Sequence, residues 1–307
     1  MEYVLRTFDL TKKYKGQYAL NKVNMNICRG DIYGFVGENG SGKTTVIRLI
    51  TGLIFPNSGG FELFGVPSSS GEIHSARRKV GAIVETPSVY RNLSAYDNLK
   101  MQCDVLGIKD EEKIQQVLAE VGLPGLYTNP KRAGNFSLGM RQRLGIAMAL
   151  LGDPEFLILD EPMNGLDPAG IISIRELIIH LNRTKNITFL ISSHILNELA
   201  LVATKYGIIS KGRIIREITA AQLHDECRRA TVVEVDNPQK LAELLPALLP
   251  QEDISFIPSG AKLFGQVDLN QLFAAILAAG IRILSVNCSE TNIEDYYLSV
   301  IGGADHA

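Results

Sequence analysis

Short apolar runs separated by turns open the chain and return after a long helical middle. Ile32-Tyr33-Gly34-Phe35-Val36 is an unbroken apolar run of strand length. Val46-Ile47-Arg48-Leu49-Ile50 instead has the spacing of a helix and stops at Gly52. Val80-Gly81-Ala82-Ile83-Val84 predicts another buried strand. From about 88 to 152 the pattern is helical, over Ala95–Leu106, Glu111–Val121 and Met140–Leu151, with Pro and Gly between. Buried strands then resume at 156–159 and 187–191, separated by an apolar helix around 171–182. Strands alternating with helices predict a parallel-rich α/β core that carries a helical insertion.

Almost ninety residues follow position 219. Their pattern predicts strand (230–235), helix (238–249), strand (253–258), strand (261–267), helix (269–279), strand (281–287) and helix (292–300). Asn237-Pro238 opens a helix, Gly280 closes one, and Thr291-x-x-Glu294 forms a capping box. The order βαββαβ suggests a small ferredoxin-like α+β domain with a final helix. It contains no catalytic constellation, and its simplest reading is a dimer contact or scaffold rather than a ligand sensor. The expected division is therefore 1–219 and 220–307, with the helical part of the first domain at about 88–152.

With 307 residues the chain can hold one large domain or two with ample core. A formal charge of −2 predicts no strong attraction to nucleic acid or anionic lipid. The four cysteines, Cys28, Cys103, Cys227 and Cys288, form no Cys-x-x-Cys pair. Neither a disulfide framework nor a zinc site is expected, and a reducing compartment fits. The first residues lack the basic and apolar regions of a signal peptide. No apolar run reaches the roughly 18–20 residues of a membrane span. The nearest, Leu272 to Leu284, is short and carries Arg282. A soluble chain is expected, so any work at a membrane requires another chain to span it.

The chemistry lies in the turns. Residues 37–45 read Gly-Glu-Asn-Gly-Ser-Gly-Lys-Thr-Thr between the first buried strand and its helix. A glycine-rich turn there aims backbone N–H groups and the positive helix end at one point, a concavity suited to polyphosphate. Lys43 can reach the β- and γ-phosphates and Thr44 can ligand Mg²⁺, while Asn39, Gly40, Ser41, Gly42 and Thr45 complete the cradle. Leu157-Ile158-Leu159-Asp160-Glu161 ends an apolar strand in two carboxylates that must point opposite ways. Asp160 suits the Mg²⁺ shell, and Glu161 suits a general base polarising water. His194 follows the strand ending Ile191-Ser192-Ser193, at the strand end where ligands of open α/β sheets gather. Ser137 and Gly139 begin a helix, which is either a simple cap or a second phosphate site. If it is a phosphate site, a second subunit must bring it to the first loop.

Over about residues 1–219 the chain resembles an ATP-binding cassette ATPase, the P-loop NTPase motor of ABC transporters. The motifs occur in order: Tyr14 as adenine-stacking aromatic, Walker A at 37–45, signature at 136–140, Walker B at 156–161, D-loop Asn164-Gly165-Leu166-Asp167, and switch His194. The resemblance implies a RecA-like core with a helical subdomain and a head-to-tail dimer sandwiching two ATPs. It also implies dependence on Mg²⁺ and a separate integral membrane permease docking at the helical insertion. The chain would then lie in the cytoplasm against the inner face of the membrane. Two departures from the common pattern stand out: Glu85 where most cassettes have the Q-loop Gln, and Phe-Ser-Leu-Gly-Met in place of Leu-Ser-Gly-Gly-Gln. Both, with Ile293-Glu294-Asp295-Tyr296-Tyr297, are similar to the branch serving bacitracin-type export and lantibiotic immunity. Glu85 still offers oxygen to Mg²⁺ or to the attacking water.

The resemblance thus favours an ATPase motor exporting an antimicrobial peptide or drug. A soluble cassette acting on ribosomes or DNA is the alternative, although such proteins typically carry two cassettes or a long coiled coil. A cassette that binds ATP without hydrolysing it fits poorly, since every motif residue is present. All motifs being intact, a homodimer suffices, and no nucleic-acid partner is expected.

Overall fold

A computed structural model of the chain describes residues 2–227, 230–249, 253–264, 268–289 and 293–304. It divides into two compact units, Met1–Ala220 and Ala221–Ala307. The first begins with β1 (Tyr3–Tyr14), β2 (Gln17–Val23), β3 (Asn26–Cys28), β4 (Ile32–Val36), α1 (Lys43–Thr51), β5 (Ser58–Leu63), β6 (Val66–Pro67), α2 (Ile73–Arg77) and β7 (Val80–Ile83). Helices α3 (Ala95–Leu106), α4 (Glu112–Glu120) and α5 (Leu138–Leu150) follow. The unit ends with β8 (Phe156–Asp160), α6 (Pro168–Lys185), β9 (Thr188–Ser193), α7 (Leu196–Ala200), β10 (Lys205–Ser210), β11 (Arg213–Thr219) and the start of α8 (Ala220–Glu226).

Two sheets share one core. The six-stranded sheet has the order β11-β10-β4-β9-β8-β7 and is parallel except for edge strand β11. Every residue of β4, β8 and β9 is buried, which is why their centres read as continuous apolar stretches rather than alternating ones, with polar residues only at the ends of β8 and β9. Strands β1, β2, β3, β5 and β6 form an antiparallel sheet. Val46, Ile47, Leu49 and Ile50 of α1 lie in a core cluster with Leu5 and Leu10 of β1 and with Tyr33 and Phe35 of β4. Helix α1 ends where Gly52, at φ +83°, donates its N–H to the carbonyls of Arg48 and Leu49.

Local signals set the other helix limits. Ser94 and Asp97 form a reciprocal capping box at α3. Asp167 caps α6, Pro168 takes its first position, and the helix runs three residues beyond each end of the expected 171–182. Helix α5 packs on α3, α4 and β7, so the helical insertion hangs from one edge of the parallel sheet. Strand β10, which the apolar pattern did not single out, sits directly beside β4. Gly207 on β10 makes room for Tyr33: a Cβ there would lie 2.1 Å from the Tyr33 hydroxyl. That hydroxyl donates to Glu217 Oε1 at 2.8 Å. Burial, then the nearby Glu217 carboxylate, holds the phenol well above its ordinary pKa, so it remains a donor.

The second unit contains β12 (Ala230–Val235), α9 (Pro238–Leu248), β13 (Asp253–Ile257), β14 (Gly260–Phe264), α10 (Leu269–Ala278), β15 (Ile283–Ser289) and α11 (Ile293–Ala304). Its sheet runs β13-β14-β12-β15 with every neighbouring pair antiparallel, the ferredoxin-like arrangement expected from βαββαβ. Asn237 caps α9, whose first residue is Pro238, and Gly280 follows α10 at φ +70°. Val233, Ala261 and Leu263 of the sheet pack with Leu241 and Leu245 of α9 and Leu272 and Ile276 of α10. Thr291 of the expected capping box and residues 265–267 of the expected third strand lie outside the described residues. Among the described residues, no helix is long and apolar enough to cross a membrane.

The Tyr33 contact generates a stability prediction. Gly207→Ala must displace a buried ring and its hydrogen bond, and should cost about 1–3 kcal/mol. Tyr33→Phe, which removes only the hydroxyl, should cost about 1 kcal/mol. Denaturant titration of both variants checks the order; equal stability of Gly207→Ala and the unaltered chain would refute the packing argument.

Candidate nucleotide-binding and hydrolysis site

Residues 37–42 link β4 to α1, and steric limits dictate their glycines. A Cβ at Gly37 would lie 2.4 Å from the Ile209 carbonyl, and one at Gly42 would lie 2.7 Å from Leu20 Cδ2. Gly42 also takes φ +115°, which side chains rarely tolerate. Asn39 and Gly40 form the exposed tip, Thr45 is half-buried, and Ser41 and Lys43 are buried. Lys43 Nζ donates to the carbonyls of Gly37 at 2.6 Å and Glu38 at 3.2 Å, and stands 3.3 Å from Glu161 Oε1. The buried Ser41 hydroxyl has no hydrogen-bond partner. A loop with such a donor, a buried ammonium and the start of a nine-residue helix fits an anionic ligand.

The carboxyl ends of three parallel strands meet this loop. Strand register sets Asp160 opposite Ser192, and Ser193 opposite Val36. Asp160, 1% exposed, accepts from Thr44 Oγ1 at 2.9 Å and from Ser192 Oγ at 2.5 Å. The Ser192 hydroxyl in turn accepts from Glu161 N at 2.9 Å. The backbone at Glu161 takes φ +50°. Its side chain faces Lys43 through one oxygen and His194 Nδ1, at 2.8 Å, through the other. Lys43, Thr44, Asp160, Glu161 and His194 therefore converge although they lie far apart along the chain. Ser192 is a functional residue the sequence reading passed over. Its signal was present, since a buried strand hydroxyl level with an acid needs a partner.

Thr44 and Asp160 offer the hard oxygen donors that Mg²⁺ prefers. Among the described residues no group of three or more His, Cys, Asp or Glu side chains could hold a metal by itself. That composition suits Mg²⁺, which usually takes one or two protein oxygens and completes its shell with phosphate and water.

The remaining expected residues occupy other places. Tyr14, at the end of β1, is 45% exposed, with Lys12 Nζ over its ring at 5.3 Å. Glu85 lies two residues past β7 at φ +63°, and its carboxylate pairs with the Arg48 guanidinium. Ser137 caps α5 by accepting from Met140 N at 3.2 Å. A Cβ on Gly139 would come nearest to Leu166 of the 164–167 loop, at 3.8 Å. Among the described contacts neither Ser137 nor Gly139 reaches residues 37–45. Helix α5 packs on β7, three strand spacings from β4, or about 14 Å across the sheet. Beside it, Thr86, Pro87, Gln102, Val105, Gly145 and Met148 line an open groove of about 720 Å³.

Comparison with known proteins agrees with this geometry. The family model described as "ABC transporter" matches residues 20–164. The chain is 42% identical over 308 residues to a bacitracin transport ATP-binding protein of Bacillus licheniformis, covering 99% of each. It is 44% identical over 214 residues to a lantibiotic transport ATP-binding protein of Streptococcus pyogenes, covering 70% of this chain and 90% of that one. Among solved structures, cbiO1 from Clostridium perfringens, part of the ABC transporter complex cbiONQ, superposes with TM-score 0.66 at 26% identity, covering 82% of this chain and 97% of that one. A dimeric ATP-binding cassette solved in a post-hydrolysis state with ADP and phosphate shares the fold, with TM-score 0.63 at 24% identity, covering 70% and 98%. A parallel sheet, a glycine-rich strand-to-helix loop and two carboxylates at a strand end have a common explanation: the chain belongs to the ATP-hydrolysing, ATP-binding proteins of the ABC transporter family.

Proposed function

We propose that two copies of this chain close over two ATP molecules and that hydrolysis reopens them, driving a membrane permease. The observation that carries this reading is the split of phosphate-binding elements between two places. Residues 37–45 carry one, and the start of α5 at Ser137 and Gly139 carries the other, with a sheet edge between them. A head-to-tail pair would bring one copy's α5 to the other's loop, and two such contacts close a symmetric dimer.

Within each site the roles follow from the contacts. Lys43 and the loop N–H groups bind the phosphates, and Tyr14 offers an aromatic face to the base. Glu161 orients and deprotonates the attacking water, while His194 holds the Glu161 carboxylate by its second oxygen. Thr44 and Asp160 would hold Mg²⁺, which when bound neutralises charge on the β- and γ-phosphate oxygens. Ser192 keeps Asp160 and the Glu161 backbone aligned.

The groove beside Pro87, Gln102 and Val105 suits a short helix of the permease, because it joins the strand edge near Glu85 to the helical insertion. The chain would thereby work on the cytoplasmic face of the membrane. The names of its relatives, bacitracin and lantibiotic transport proteins, support export of an antimicrobial peptide or drug. They also argue against the soluble alternative on ribosomes or DNA, as does a net charge of −2.

Glu161→Gln should lower ATP turnover by a factor of about 100 or more, since general-base assistance is worth about 10²–10⁴. ATP binding should survive and a dimer should accumulate on a sizing column; turnover at the unaltered rate would show that Glu161 is not the base. Lys43→Ala should weaken ATP binding at least about tenfold, or about 1.4 kcal/mol, in a fluorescent-nucleotide titration. Unchanged affinity would refute the cradle. Ser137→Arg should leave ATP binding to the monomer intact but abolish the ATP-dependent dimer of the Glu161→Gln background, and persistence of that dimer would sink the shared-site reading.

A further inference from the structure

Two carboxylates stand at equivalent points of neighbouring strands. Strands β7 and β8 pair in parallel with Ile83 opposite Leu159, so Glu85 and Glu161 each lie two residues beyond the same rung. Both have left-handed backbone, at φ +63° and +50°. Each also meets its own cation from α1: Lys43 stands 3.3 Å from Glu161, and Arg48 contacts Glu85. Arg48 follows Thr44 by four residues, which puts it on the same helix face about 6 Å further along. Glu85 is therefore tied one helical turn away from the Thr44 hydroxyl that bonds Asp160.

A carboxylate here has three possible cations: Lys43, Arg48 and the divalent ion that Thr44 and Asp160 would hold. A neutral amide would not compete strongly for any of them, whereas a full negative charge does. The Arg48 guanidinium is permanently charged and shaped to take a carboxylate oxygen, and it resists the loss of charge that a lysine can undergo. We propose that Arg48 is a positioning residue that neutralises Glu85 and holds it off the metal-binding oxygens, leaving Lys43 to Glu161 and the phosphates. The proposal rests on the nucleotide-site reading above. It explains how this cassette carries an acid beside its metal position: the extra charge has a dedicated partner on the phosphate-loop helix.

Mn²⁺ binding in the presence of a non-hydrolysable ATP analogue, followed by electron paramagnetic resonance on the full chain, tests this without reading activity. Arg48→Met frees a bare carboxylate and should tighten Mn²⁺ binding about three- to fivefold, the range open to a partly exposed ion pair. In the Glu85→Gln background the same substitution removes only the screened field of a partly exposed Arg48 and frees no carboxylate, so it should shift binding less than about twofold, and the ratio of the two shifts reports the freed Glu85. Glu85→Gln alone, which leaves Arg48 without its carboxylate, should loosen binding by less than about twofold, the effect of that same screened field. Arg48→Lys should restore part of the unaltered affinity, and thermal melts report whether each variant is folded. Equal shifts in both backgrounds, or weaker Mn²⁺ binding by Arg48→Met, would overturn the proposal alone. Failure of the unaltered protein to hold Mn²⁺ with the analogue would overturn the nucleotide-site reading and this proposal with it.

Discussion

Burying the Asp160 carboxylate requires hydrogen-bond donors, and both come from other elements. Thr44 supplies one from the first turn of α1, and Ser192 supplies the other from β9. An ionised carboxylate 1% exposed and stripped of these donors would be costly to keep charged. The pair of hydroxyls therefore locks the phosphate-loop helix, β8 and β9 into one arrangement. The rest of the site is built on that lock. Lys43 precedes Thr44, Glu161 follows Asp160, and His194 lies two residues after Ser192, so aligning three residues aligns three more.

The same constraint explains why the backbone bends sharply where it does. After Asp160 the chain must leave a fully buried strand and present Glu161 to both Lys43 and His194. It does so with φ +50°, a conformation that costs a non-glycine residue about 1–2 kcal/mol. The Ser192 hydroxyl, bonded to Glu161 N, helps to hold that turn. Strain of this kind persists where surrounding contacts over-determine it, and it clusters at functional positions. Glu85, one strand over, leaves β7 in the same backbone region and finds Arg48.

Much of this was legible in the residues because the motifs are local. A glycine-rich strand-to-helix turn, two acids closing an apolar strand, and a Ser or Asp before a helix each have short-range physical causes. Two of them stand where the sequence reading put a helix start, with Gly42 opening α1 and Ser137 capping α5. The βαββαβ order of the second unit was legible for the same reason, with Asn237-Pro238 and Gly280 marking helix limits. Strand β10 was harder to find, since Lys205 to Ser210 is too short to distinguish by periodicity alone. Ser192 and Arg48 escaped notice because their partners, Asp160 and Glu85, lie 32 and 37 residues away.

By itself, then, the sequence determined that the chain is an ATP-binding cassette and which short motifs it carries. These are properties of residue type and near-neighbour spacing. Only the tertiary structure decided which acid receives which cation. Glu161 and Glu85 look alike as acids following apolar runs, yet one is held by Lys43 and His194 and the other by Arg48. That choice depends on strand order and register, which put β8 between β9 and β7 and turn two faces of one helix toward two strand ends. Coulombic partnership depends on distance through space, and distance between residues far apart in sequence exists only once the sheet has formed.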